Sequence, residues 1–232
     1  MTKFWRVRDG LFAPIALAAN EFARELTGRL SAVNLGGAST YLRGSLLEHI
    51  APHANADLDL IVIWGNDPPT RTVIEALQEH VREFNRALDL SVLSETQIHR
   101  HVPQRLLLHT RAFRVNGPEK RFAPVRADVE TMKYHFAAYA PWFPPDEMWA
   151  STRSRVSALK NLTRCFGVLS FIHGGAFTRD IEACLACADE LHRESARALR
   201  DAWRHVDAPG TANLEVIKRY ILQTGTKLGL LA

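Results

Sequence analysis

Asp57 and Asp59 stand two apart in Asp57-Leu58-Asp59-Leu60-Ile61-Val62-Ile63-Trp64, the strongest strand pattern in the chain. Residues two apart on a strand share one face. Two carboxylates converging there repel each other unless a positive group sits between them. A small set of oxygen ligands, completed by phosphates, is what Mg²⁺ prefers. Asp89 lies in the next apolar run, Leu88-Asp89-Leu90-Ser91-Val92-Leu93. If the two strands are neighbours, it joins the same cluster. Three carboxylates on one sheet can hold two metal ions, one activating a hydroxyl and one on a phosphate leaving group. In that scheme Asp89 is a metal ligand, a general base, or both.

Leu42-Arg43-Gly44-Ser45 precedes Asp57, with eleven residues between Ser45 and Asp57. Gly44 lets a ligand approach the backbone closely. Ser45 offers a hydroxyl and a helix-start N–H, both donors that suit phosphate. Arg43, Gly44 and Ser45 are therefore the candidate phosphate contacts. The bland account of Asp57 and Asp59 is a pair of solvent-facing strand acids. Their apolar neighbours argue against it, because burying a carboxylate is costly unless it is paired or metal-bound. For Asp89 the competing account is a turn residue on an edge strand.

The elements that must position these residues alternate. The spacing predicts a helix starting at Pro14 and carried by Phe22, Leu26 and Leu30. This reading is preferred over a cleaved signal peptide, because Asp9 interrupts the early cationic residues. A short strand at Thr40–Leu42 follows, then the strand 57–64. Val73, Leu77, Val81 and Phe84 line a helix over 70–86, and the strand 88–93 comes next. A helix followed by a strand is expected within 106–115. This alternation indicates an α/β module.

Past Val125 the strand signal stops. Residues 125–140 read as helix, and Pro141-Trp142-Phe143-Pro144-Pro145 breaks it. Val156, Leu159, Leu162, Phe166 and Leu169 form the stripe of a helix stopped by Gly174-Gly175. Thr178 is the expected N-cap of the next, with Asp180 and Glu182 in its first turn. Pro209-Gly210 separates that helix from a last one carried by Leu214, Ile217 and Ile221. The expected architecture is α/β (α+β): a small mixed-sheet domain over 1–140, then an all-helical bundle over 141–232.

The 232 residues are 47% apolar and 23% charged, as in a globular protein. No apolar run is long enough to span a bilayer. The 29 Lys and Arg against 25 Asp and Glu give a net charge of +4, compatible with an anionic substrate. Three cysteines, Cys165, Cys184 and Cys187, make no disulfide framework and fit a reducing cytoplasm. Cys184-Leu185-Ala186-Cys187 lies within a helical stripe, with no second pair, and reads as two small core residues rather than a zinc or redox site. His99-Arg100-His101 reads as a solvated helix start. Lys160, Arg164, Lys218 and Arg219 are the candidates for a phosphate-neutralising cation from the helical half.

A Gly-Ser pair, about ten residues, then Asp-hydrophobic-Asp-hydrophobic resembles the signature of the polymerase-β-type nucleotidyltransferase superfamily. The resemblance implies a small mixed sheet backed by helices and transfer of a nucleotide from a triphosphate with Mg²⁺. It implies that Gly44 and Ser45 contact the triphosphate, that Asp57 and Asp59 bind metal, and that Asp89 is the third acid and base. Leu159–Cys165 and Gly174–Asp180 look like the C-terminal domain of aminoglycoside adenylyltransferases of the streptomycin/spectinomycin type. Ala56 stands where the family often has Ser or Thr, and His49 and His53 occupy a loop that usually carries a second glycine.

The expected function is adenylyl transfer from ATP, with two Mg²⁺ ions, to a hydroxyl of a small acceptor such as an aminoglycoside. The expected cleft lies between the two halves. The rivals are transfer to a protein or a tRNA, for which no aromatic-plus-basic platform argues, and an inactive nucleotide-binding member of the fold. No membrane partner is expected.

Overall fold

The computed structural model describes residues 3–15, 19–48, 57–140, 151–207 and 214–231. The chain forms two compact units, Leu11–Val125 and Met1–Gly10 with Arg126–Ala232. The first strands, β1 (Val7–Arg8) and β2 (Leu11–Phe12), are two residues each and fall one in each unit.

The unit Leu11–Val125 holds the sheet. Its helices and strands run α1 (Glu21–Leu30), β3 (Ser39–Arg43), α2 (Ser45–Glu48), β4 (Leu58–Trp64), α3 (Arg71–Arg82), β5 (Leu88–Ser94), α4 (Glu95–Arg100), α5 (Val102–Arg111) and β6 (Phe113–Asn116). The sheet order is β5-β4-β3-β6. β3 pairs antiparallel with both β4 and β6, while β4 and β5 are parallel. A parallel pair needs a crossover, and α3 supplies it. The sheet is therefore mixed, as expected.

Both faces of β4 are covered. Leu58, Leu60 and Val62 join Leu26, Leu30, Leu77 and Val81 in one core cluster. Ile61 and Ile63 pack on the opposite face with Tyr41, Ile98 and Leu108. Asp57 and Asp59 share the parity of Ile61 and Ile63, so they sit at the open end of that second face.

The helix expected from Pro14 starts at Glu21 instead. Leu11–Phe12 is extended, and Asn20 provides the cap, its side-chain oxygen accepting from the Ala23 N–H at 2.8 Å. The first-turn preference of proline is weaker than a satisfied N-cap. The expected strands and the helix after β4 fall within a few residues of their positions.

The second unit carries α6 (Val129–Tyr139), α7 (Thr152–Ile172), α8 (Ile181–Leu191), α9 (Arg193–Arg204) and α10 (Glu215–Lys227). The cap of α8 is Asp180, not Thr178. Thr178 is fully buried, with its hydroxyl donating to the Lys3 carbonyl at 2.5 Å and accepting from the Asp180 N–H at 3.2 Å. Close by, a Cβ on Gly167 of α7 would lie 2.2 Å from the Thr178 carbonyl oxygen. Trp5 reaches the same loop, its backbone N–H donating to the Phe177 carbonyl at 2.8 Å while the two rings pack 5.5 Å apart. α9 has no counterpart in the sequence reading. It is split from α8 at His192, whose backbone is extended and whose Nδ1 accepts from the Ser195 N–H at 3.3 Å. The Pro141–Pro145 break and Pro209-Gly210 lie outside the described residues.

Candidate active site

The site is built on a row across three strands. Arg43 on β3 is the antiparallel partner of Asp59 on β4. Asp59 is in turn the parallel partner of Asp89 on β5. The condition set by the sequence, that the strands of the acids be neighbours, is met. Asp57 precedes β4 by one residue and is half-buried, like Asp59. Asp89 is exposed, because β5 is an edge strand.

Gly44 turns the chain from β3 into α2 with φ +81°. A side chain is barred there twice over. Positive φ is strained for L-residues, and a Cβ at Gly44 would fall 2.0 Å from Asp59 Oδ2. The glycine thus lets the turn lie directly against the carboxylate. Ser45 opens α2 as expected. The turn is anchored by the fully buried Leu46 and the buried Leu47. Asn20 ties it to α1, its side-chain amide donating to the Leu46 carbonyl at 2.6 Å.

Charge and burial act against each other at Asp59. Burial pushes its carboxyl up to about 6. The Arg43 guanidinium pulls in the opposite direction, and the carboxylates of Asp89 and Asp57, with a side-chain hydrogen bond to Asp89, push it further up. A cation placed beside Asp59 would favour its charged form.

Arg43 is half-buried, and its Nη1 donates to Gln104 Oε1 on α5. Gln104 was not among the sequence candidates. It lies 61 residues from Arg43, in a stretch with no motif, and only the packed structure couples them.

Asp59 and Asp89 are a two-acid oxygen set beside a turn suited to phosphate. That fits Mg²⁺, which takes one or two carboxylates and fills its shell with water and phosphate oxygens. Among the described residues no group of three or more His, Cys, Asp or Glu side chains is arranged to hold a metal ion. His49, His53 and Ala56 lie outside the described residues.

The remaining candidates separate by environment. Cys165, Cys184 and Cys187 are free and buried. Burial pushes the Cys184 thiol up to about 12, and its Sγ donates to the Thr178 carbonyl at 3.5 Å. The CxxC is core packing, as read from the sequence. His101 caps α5, its Nδ1 accepting from the Gln104 N–H at 3.2 Å. In the helical unit Lys160 and Arg219 are exposed, Arg164 is half-buried, and Lys218 pairs with Glu215 at 3.2 Å. Arg179 stacks over the Tyr139 ring at 5.8 Å.

The described residues thus combine a mixed four-stranded sheet, whose glycine turn lies against an acid pair, with a helical unit. The structure is similar to the crystal structure of the spectinomycin adenyltransferase AAD(9) from Enterococcus faecialis, determined with ATP and spectinomycin. The match covers 90% of this chain and 99% of that one, with a TM-score of 0.55 and 16% sequence identity. At that identity the likeness shows a shared fold alone. No protein-family model matches the sequence, and no curated protein does.

Proposed function

We propose that the protein is a Mg²⁺-dependent nucleotidyltransferase that passes AMP from ATP to a hydroxyl of a small acceptor of the aminoglycoside or aminocyclitol kind. The observation that carries this reading is the Gly44 turn lying against Asp59, with Asp89 in register beside it. The shared fold with a protein solved with ATP and spectinomycin supports the same class.

In this reading Ser45 donates its hydroxyl and N–H to phosphate oxygens, and Gly44 keeps the backbone low enough for them to approach. Asp59 and Asp89 would hold the divalent cation, with Asp57 beside them at the open end of the strand, and the cation would supply charge neutralisation on the triphosphate and a more acidic acceptor hydroxyl. Asp89 is the most accessible of the three acids, which suits it to receive the hydroxyl proton as general base. The acceptor oxygen then bonds to the α-phosphorus, and the bond to the pyrophosphate oxygen breaks. Holding the reactants in line and offsetting charge is most of what this chemistry requires.

The test is incubation of the purified protein with α-labelled ATP, Mg²⁺ and a panel of spectinomycin, streptomycin, other aminoglycosides and tRNA. Label in an antibiotic, with pyrophosphate released and Asp59→Asn inactive, supports the reading. Equal labelling by wild type and Asp59→Asn rejects it.

A further inference from the structure

A half-buried carboxylate flanked by two others is stabilised by a nearby positive charge whether or not a nucleotide is bound. The row across the sheet supplies one. Arg43 faces Asp59 across the antiparallel β3–β4 pair, and Asp89 flanks Asp59 on the other side. The guanidinium is not left to wander, because Gln104 on α5 accepts from its Nη1. It is half-buried, so its field is only partly screened by water.

We propose that Arg43, steered by Gln104, is the resident counter-cation of Asp59 and its neighbours Asp57 and Asp89, and that it opposes a divalent cation at Asp59 and Asp89. The inference rests on the metal reading given under Proposed function. In metal-free protein the guanidinium offsets the carboxylates. A divalent cation entering the same site meets that positive charge, and its affinity falls. A triphosphate at the Gly44–Ser45 turn adds negative charge for both cations, so metal and nucleotide bind better together than either does alone. Arg43 is thus a positioning and charge-balancing residue with two consequences, one in the presence of metal and one without it.

Two measurements test this on the full-length protein. The first is Mn²⁺ titration followed by the electron paramagnetic resonance signal of the free ion, without nucleotide. Removing a unit positive charge beside the ligands in Arg43→Met is expected to tighten Mn²⁺ binding on the order of tenfold, with Gln104→Leu in between. Arg43→Lys, which keeps the charge, should stay near wild type. The second is thermal unfolding in chelator at pH 8. Arg43→Met should lower the melting temperature in the wild-type background, and much less when combined with Asp59→Asn.

Tighter Mn²⁺ binding together with that coupling supports the proposal. Unchanged Mn²⁺ affinity in Arg43→Met, where wild type binds the ion, overturns the competition and leaves the metal reading standing. Equal loss of melting temperature in both backgrounds overturns the pairing with the acids. Mn²⁺ binding to neither protein overturns the metal reading, and the competition with it.

Discussion

The raised affinity of Asp59 for its proton turns the site into a measurable liability. The carboxyl is pushed from 3.8 up to about 6, chiefly by burial. An acid whose pKa is higher folded than unfolded binds its proton more tightly in the native state. Its stabilisation is complete below about pH 4 and is lost as the pH rises through about 6. The gap corresponds to at most about 3 kcal/mol. Water reaches the half-buried carboxylate, so about 1–2 kcal/mol is the expected size. Asp59→Asn carries no titrating group there. In chelator, urea unfolding of this variant and of wild type should give similar stabilities at pH 4.5, and the variant should gain about 1–2 kcal/mol over wild type at pH 8. Taking the difference between the two proteins cancels the titration of all other groups. The same variant should lose nucleotide transfer. A variant no more stable relative to wild type at pH 8 than at pH 4.5 would refute the reasoning.

Other substitutions probe neighbouring links. Gly44→Ala introduces a methyl where φ is positive and where Asp59 Oδ2 lies 2.0 Å from the Cβ position. It should cost about 1–2 kcal/mol in urea unfolding and displace the acid, with transfer reduced even at saturating ATP. Asp89→Asn, at an exposed edge position, should leave stability within about 0.5 kcal/mol of wild type while slowing turnover about a hundredfold or more, read in single-turnover assays. Asp180→Ala removes the cap of α8 and should cost about 1 kcal/mol. Native Cys165 and Cys184 should resist an aromatic disulfide reagent, then react on unfolding in urea, because burial holds both thiols protonated.

What could be read in the sequence was what local chemistry dictates. Continuous apolar runs marked β4 and β5, and the i, i+2 spacing put Asp57 and Asp59 on one face before any coordinates. Gly44 was legible as a point of close approach to the backbone, although the neighbour that demands a glycine there, Asp59, was not. Helix starts were misplaced where several capping residues competed. Pro14 was favoured over Asn20, and Thr178 over Asp180, because propensity does not reveal which side chain reaches an N–H. The α8–α9 break at His192 carries no proline or glycine, so no breaker announced it. Gln104 was invisible for a different reason: its role is set by a helix brought beside β3 through packing, over 61 positions of chain.

Trp5 docks on Phe177, and Lys3 receives the Thr178 hydroxyl, so the chain's opening residues belong to the helical unit and are parted from it by the whole sheet unit. The sheet unit is in effect spliced into the helical one. A nascent chain emerging from a ribosome has its sheet complete while its first residues still wait for partners more than a hundred positions behind them. Excising residues 126–232 as an independent fragment would strand Phe177 and Thr178 at a raw apolar surface, whereas 11–125 carries its own core and is the piece to express alone.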